Sequence, residues 1–123
     1  MEASAHDSDA AATRPLDAAL ARLEQSVGDP EFVAELIGDF LDALPGQLAA
    51  LRAAGVSADA EQVHRIAHTL KSNAATFGCD DLALACRELE HAEAGSSQLI
   101  ERIEGEAAAI SPTLAAARDQ RLP

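Results

Sequence analysis

Large aromatic side chains are scarce in this chain of 123 residues, which has no tryptophan, no tyrosine and three phenylalanines. Proteins that bind bases or sugars stack them on aromatic rings, so the sequence offers almost nothing from which such a platform could be built. Basic residues are also few, because 9 lysines and arginines accompany 21 acids and give a net charge of −12. Such a surface repels phosphate backbones and anionic membranes, and we expect no nucleic acid partner and no membrane.

Long hydrophobic runs and a cysteine framework are missing as well. The sequence contains no apolar stretch of about 18 residues, the length that would predict a membrane-spanning helix. Its first residues include acids and no apolar run, unlike a secretory signal. The two cysteines, Cys79 and Cys86, would lie about 10 Å apart along a helix, too far for a disulfide. We therefore expect reduced thiols in a soluble, cytoplasmic protein.

Alanine, leucine and glutamate are abundant, and the apolar residues recur at the spacing of amphipathic helices. Glycine, proline and N-cap residues divide the chain into five predicted helices, at about residues 15–26, 29–54, 57–78, 80–94 and 96–118. The second contains Pro45 within its apolar stripe, where we expect one long kinked helix rather than two. The fourth is predicted to begin at Asp80 as its N-cap and to end near Ala94, before Gly95.

These elements predict an all-α fold with no strand and no repeat. Amphipathic helices joined by short loops favour an antiparallel up-down four-helix bundle, with an additional short N-terminal helix as a cap. We place this domain at residues 14–119, after a disordered tail at residues 1–13 that is rich in small and polar residues.

The third predicted helix carries an unusual group of polar residues. Measured around the helix from the centre of its apolar face, Lys71 lies at about 80°, His64 at about 100° and His68 at about 140°. His68 is therefore expected to face solvent, beside the small residues Ser72 and Ala75. An imidazole titrates near neutral pH and is nucleophilic when neutral. A solvated surface histidine with no further role is the ordinary alternative.

A metal site is another interpretation of these histidines. His64 and His68 are spaced to chelate a metal, and Glu-x-x-His occurs twice, at Glu61/His64 and Glu88/His91. Two such motifs occur in di-iron helical bundles. However, the helical angles direct His68 away from the core and His91 straight into solvent, whereas a site in the bundle core needs inward ligands. We therefore predict no metal site.

Residues 66–78, IAHTLKSNAATFG, resemble the phosphoacceptor motif of histidine-containing phosphotransfer (HPt) domains. That motif is Ala-His-x-Leu-Lys-Gly/Ser, then a small residue, then an apolar-Gly pair. The matching residues here are Ala67, His68, Leu70, Lys71, Ser72, Ala75, Phe77 and Gly78. Ser72 occupies a position that is often glycine in the family. Segments 29–51 and 82–90 resemble the neighbouring helices of the family, so the resemblance covers about residues 15–118.

The resemblance implies roles for particular residues. His68 would be the phosphoacceptor through Nε2, and Lys71 would offset negative charge on the phosphoryl oxygens. Ser72 and Ala75 would leave room for a docking partner, and His64 would help to shape the same face. The implied partners are response-regulator receiver domains and a hybrid sensor histidine kinase.

The resemblance also implies a relay rather than an autonomous enzyme. The sequence has no Gly-rich phosphate-binding loop, so we expect no kinase activity and no cofactor, with any divalent metal held by the partner receiver domain. We expect a monomer that accepts a phosphoryl group from one receiver domain and passes it to another. The alternative is an interaction module that docks receivers or kinases without being phosphorylated, and a helical metal-binding protein is the third interpretation.

Overall fold

The computed structural model describes the backbone of residues 3–92 and 96–123, and the side chains of residues 15–92 and 96–123. Five helices make up most of it: α1 (Ala3–Val27), α2 (Pro30–Val56), α3 (Ala60–Thr76), α4 (Asp80–Glu90) and α5 (Ser97–Arg121). No residue in these described ranges lies in a strand, so the prediction of an all-α fold is confirmed. None of the described helices combines the length and the apolar character needed to cross a bilayer.

Polar side chains cap the starts of three helices close to where the sequence predicts them. The Asp29 carboxylate accepts a hydrogen bond from the backbone N–H of Glu31 at the start of α2. Asp59 accepts one from Gln62 at the start of α3, and Ser96 caps α5 in the same way. These side-chain oxygens satisfy backbone donors that have no acceptor within the helix, so each helix begins where its cap stands.

Both ends of α4 differ from the prediction. Its N-cap is Cys79 rather than Asp80, and Asp80 lies in the first turn, where a carboxylate interacts favourably with the helix dipole. The helix ends at Glu90, earlier than the predicted end at Ala94, which lies outside the described residues. The chain just after Glu90 accepts a hydrogen bond from a side chain of α3, and helix propensity does not report a tertiary contact of this kind.

Prolines lie inside three of the helices, at Pro15, Pro45 and Pro112. The single helix predicted through Pro45 is confirmed, because packing of the apolar stripe on both sides outweighs one missing backbone hydrogen bond. α1 begins at Ala3 rather than near Pro15, and so includes residues that we expected in a disordered tail. Alanine-rich sequence before Pro15 favours helix. The boundary between tail and domain at residue 13 stays a prediction.

The helices pack around one apolar core, to which all five contribute. α2 packs against α3 and α5, α4 packs against the same two helices, and α1 contacts α2 and α4. No polar or charged side chain is buried among those that the structure describes. The largest fully buried side chains are aliphatic or cysteine: Leu16, Leu20, Val33, Ile37, Leu51, Val63, Leu70, Leu82, Cys86, Leu89, Ile103 and Leu114. The polar side chains of α3 therefore lie at the surface, and the apolar side of the same helix is packed into the core.

The backbone of α1 packs closely against Gly78, which lies in the turn between α3 and α4. Its φ of +72° is a backbone conformation that favours glycine, and a Cβ there would overlap the carbonyl oxygen of Pro15 and lie 2.7 Å from Cα of Leu16. Gly78→Ala is expected to lower the free energy of unfolding by roughly 2–4 kcal/mol, through backbone strain plus backbone overlap. Denaturant unfolding followed by circular dichroism measures the loss.

Gly28 is the matched control for this substitution. Its φ is +73°, but a Cβ at Gly28 would have no neighbour within 4 Å. Gly28→Ala should therefore show only the conformational cost, about 1 kcal/mol. Equal losses in the two variants would contradict the close approach of α1 to the turn at Gly78.

Candidate functional site

α3 separates a buried apolar face from an exposed polar face. Val63, Ala67, Leu70 and Ala74 are buried along its inner side. The His68 side chain is 63% exposed, in agreement with the direction expected from the helical angles. The two orientations have one cause, since residues three and four apart share a face of a helix and the apolar stripe fixes which face is inside.

Glu90, in the last turn of α4, joins His68 to Lys71. Its Oε2 lies 3.1 Å from Nδ1 of His68, and its Oε1 lies 2.7 Å from Nζ of Lys71. One carboxylate thus holds both side chains, one on each oxygen, across the junction between α3 and α4. The Glu90 side chain is only 21% exposed, so much of its surface is shielded from water.

The protonation state of Glu90 decides which nitrogen of His68 carries a proton. The ammonium of Lys71, 2.7 Å from Oε1, lowers the pKa of the Glu90 carboxyl; burial opposes this effect, and the bond to His68 adds to it. Glu90 is therefore ionised at neutral pH and can only accept hydrogen bonds. A neutral His68 must then donate from Nδ1, which leaves the lone pair on Nε2.

Glu90 contacts both His68 and Lys71 but was not predicted as part of this candidate site. On a helical projection of α4 it lies beside the buried Cys86, on the border of the apolar face. A carboxylate on that border was the available signal. Glu88 lies on the opposite border of the apolar face and, from the sequence, was equally able to be the partner of His68. The sequence does not tell which of the two borders meets α3.

The remaining predicted site residues lie around His68 in different ways. Ser72 and Ala75 are exposed on α3, where their small side chains add little bulk beside the imidazole. His64 is half-buried, and its Nε2 lies 3.2 Å from the carbonyl oxygen of Ala92, to which it donates. His64 therefore ties α3 to the chain that follows α4. Its predicted part in partner docking stays a prediction.

The two Glu-x-x-His motifs do not converge on a common point. Glu61 pairs with Arg65 at 3.0 Å, and Glu88 pairs with Arg102 at 2.6 Å. Among the residues whose side chains are described, no group of three or more histidines, cysteines or carboxylates is arranged to hold a metal ion.

Both cysteines are free and buried, at Cys79 and Cys86. Burial raises the pKa of each thiol to about 12, so neither forms a thiolate at neutral pH. They act as small apolar residues of the core, and the charges of Glu90 and Lys71 both act on the Cys86 thiol.

The chain matches the family model described as the Hpt domain over residues 35–118. Comparison with curated proteins gives no match, and comparison with solved structures gives none. The family match spans more than half of the chain and contains the whole site built from α3 and α4. This chain belongs to the Hpt domain family.

Proposed function

We propose that this chain is a phosphorelay intermediate. Nε2 of His68 accepts a phosphoryl group from the phosphoaspartate of one receiver domain and passes it to the aspartate of another. Membership of the Hpt family implies a role in histidine phosphotransfer. The observation that carries the proposal is the ionised Glu90 carboxylate on Nδ1, which leaves the lone pair on Nε2 of a largely exposed imidazole.

The two transfers balance without a proton entering or leaving. In the first, the Nε2 lone pair attacks the phosphorus of the acyl phosphate, the P–O bond breaks, and the aspartate carboxylate leaves with the bonding electrons. Nδ1 keeps its proton, so the ring becomes cationic and its bond to Glu90 becomes charge-assisted. In the second, the carboxylate of another receiver attacks phosphorus, the P–N bond breaks, and the electron pair returns to Nε2.

Lys71 supplies positive charge next to the accepting nitrogen. Phosphoryl transfer passes through a loose transition state, so positioning and charge stabilisation supply most of the catalysis. The ammonium of Lys71 shares the Glu90 carboxylate with His68, which keeps the two groups side by side. In that position it offsets negative charge on the phosphoryl oxygens. Glu90 itself is a positioning residue, since it acts through His68 and Lys71.

A receiver domain docks over the small residues beside His68. Ser72 and Ala75 act by leaving space, and His64 holds the edge of the same face. Ala75→Leu is expected to lower the transfer rate at least tenfold, because a bulky side chain there keeps the donor phosphorus from Nε2. The rate of label transfer from a phosphorylated receiver measures the effect.

Ala108 provides the control for that substitution. It is an exposed alanine of α5, as Ala75 is of α3. Ala108→Leu should leave both the transfer rate and the helical circular dichroism unchanged. A wild-type transfer rate in Ala75→Leu would show that the space beside His68 is not needed for docking of the receiver.

The proposal includes an architecture and a setting. The ring of contacts among α2, α3, α4 and α5 supports an antiparallel up-down four-helix bundle with α1 as an added N-terminal helix. The protein works as a cytoplasmic monomer that receives phosphate originating from a hybrid sensor histidine kinase. It carries the phosphoryl group without kinase activity or a cofactor of its own, and the divalent metal needed for transfer belongs to the receiver domain.

Transfer of label tests the function directly. The full chain is mixed with a receiver domain that carries a radiolabelled phosphoaspartate, and the label on the chain is examined for stability. Phosphohistidine is labile in acid and stable in base, so label with those properties supports the relay. Binding of the receiver without any transfer of label would instead identify a docking module.

A further inference from the structure

The charges at the site are balanced before any phosphoryl group arrives. Lys71 and Glu90 form an ion pair at 2.7 Å, and their charges cancel. Phosphoryl transfer to a neutral His68 moves no proton, so it adds one negative charge to a protein whose net charge is already −12, and the phosphoryl oxygens bring negative charge next to His68. Lys71 alone cannot offset that addition while it also pairs with Glu90. A second cation within reach of His68 would stabilise the phosphorylated form.

Arg87 lies where such a cation is needed. His64 contacts Ala92 and His68 contacts Glu90, so residue numbers rise along α3 as they fall along α4. Arg87 is three residues before Glu90, and Lys71 is three residues after His68. Arg87 therefore lies close to the level of Lys71 along the α3–α4 pair.

The direction of Arg87 around α4 follows from its neighbours. Glu90 reaches α3, whereas Glu88, about 160° away, reaches Arg102 of α5. Arg87 lies between these two borders, about 60° from Glu90, and is exposed. Residues three apart on a helix are neighbours, so the long arginine side chain can extend past Glu90 towards the imidazole.

Most arginines of the chain already have a carboxylate partner. Those with an ion pair are Arg52, Arg65, Arg102, Arg118 and Arg121. Arg87 has none among the side chains that the structure describes. Arg65 is an exposed arginine one turn before His68 on α3, but it is paired with Glu61 at 3.0 Å. Arg87 is therefore the cation near His68 whose charge is not already offset within the described part of the chain.

We infer that Arg87 is a second phosphoryl-binding residue, whose guanidinium pairs with the phosphoryl oxygens on His68 from the α4 side. The inference rests on the proposed function, since it needs a phosphorylated His68. An arginine fork suits this purpose because it donates two hydrogen bonds to phosphoryl oxygens at once. Among the described side chains Arg87 has no ion-pair partner to release before the phosphoryl group arrives.

The first test uses the full chain phosphorylated with potassium phosphoramidate, so that no receiver domain is needed. Titration of the phosphohistidine by ³¹P NMR compares the wild type with Arg87→Ala, Arg87→Lys and Arg65→Ala. Loss of a neighbouring cation raises the pKa of the phosphoryl group. We expect an upward shift in Arg87→Ala, a much smaller one in Arg87→Lys and none in Arg65→Ala. Added salt should shrink the difference, because exposed charges are screened.

The second measurement is the equilibrium sharing of label between the chain and a receiver domain. Arg87→Ala should move the ratio towards the receiver about twofold to fivefold, the equivalent of an exposed ion pair. An unchanged titration and an unchanged ratio in Arg87→Ala would overturn the inference, as would a larger effect in Arg65→Ala. If the wild type acquires no phosphohistidine on His68, the proposed function fails instead, so the two failures are distinguishable.

Discussion

Replacing His68 with glutamine is expected to abolish acceptance of a phosphoryl group while leaving the fold intact. Glutamine is neutral and polar and forms helices well, and the imidazole that it replaces is 63% exposed, so the free energy of unfolding should change by less than about 0.5 kcal/mol. The amide has no nitrogen lone pair able to attack phosphorus. Label from a phosphorylated receiver should therefore fall to background, with unchanged helical circular dichroism and an unchanged denaturation midpoint.

His91 supplies the control, because it is an exposed histidine at the C-cap of α4. His91→Gln should accept label at the wild-type rate, which separates loss of one particular imidazole from loss of any surface histidine. If acid-labile label persists on His68→Gln, another residue is the phosphoacceptor. Docking of the receiver should survive in His68→Gln, and a binding measurement on that variant separates recognition from chemistry.

The exposure of His68 could be predicted because it depends on one helix alone. The apolar stripe of α3 determines which side is buried, and a rotation of about 100° per residue then gives the direction of every other side chain. The same reasoning gives the neighbours of His68 on α3, which include Lys71, Ser72 and Ala75. Local geometry therefore predicts half of the site from sequence.

The half contributed by α4 could not be predicted, because it depends on how the helices are arranged around the core. Glu88 and Glu90 lie on opposite borders of the apolar face of α4, and one border meets α3 while the other meets α5. A bundle of the opposite hand would exchange these two neighbours without changing the burial of a single apolar residue. The hydrophobic pattern does not distinguish between these two arrangements of the helices, so the partner of His68 is known only from the structure.

The ends of α1 and α4 show a related limit. Propensity predicts where a helix is able to form, and it underestimated α1 while extending α4 too far. Contacts made by neighbouring elements decide the outcome in the second case, since a side chain of α3 binds the chain just after Glu90. The helix starts at Asp29 and Ser96 were predicted, and the start at Asp59 lies close to the predicted start at residue 57, because an N-cap acts through its own helix.

Removing the charge of Glu90 is expected to have the second-largest effect on phosphotransfer. Glu90→Gln keeps the shape of the side chain but no longer stabilises the cationic ring that forms when Nε2 binds phosphorus. It also ends the ion pair that holds Lys71 beside His68. A hydrogen bond to a charged group is worth about 1.5–3 kcal/mol, so transfer should slow by about ten- to a hundredfold. Glu90→Ala should slow it by at least as much.

The tautomer of His68 distinguishes this mechanism from a loss of stability. In the wild type the ionised Glu90 holds the proton on Nδ1, and imidazole ¹⁵N chemical shifts should report an unprotonated Nε2. In Glu90→Ala the ring is free to carry its proton on Nε2, which removes the lone pair needed for attack. Glu88→Gln is the matched control on the other border of α4, and should alter neither the ¹⁵N shifts nor the transfer rate. If Glu90→Ala keeps the wild-type tautomer and rate, then Glu90 does not set the reactive nitrogen, and solvent exposure alone selects Nε2.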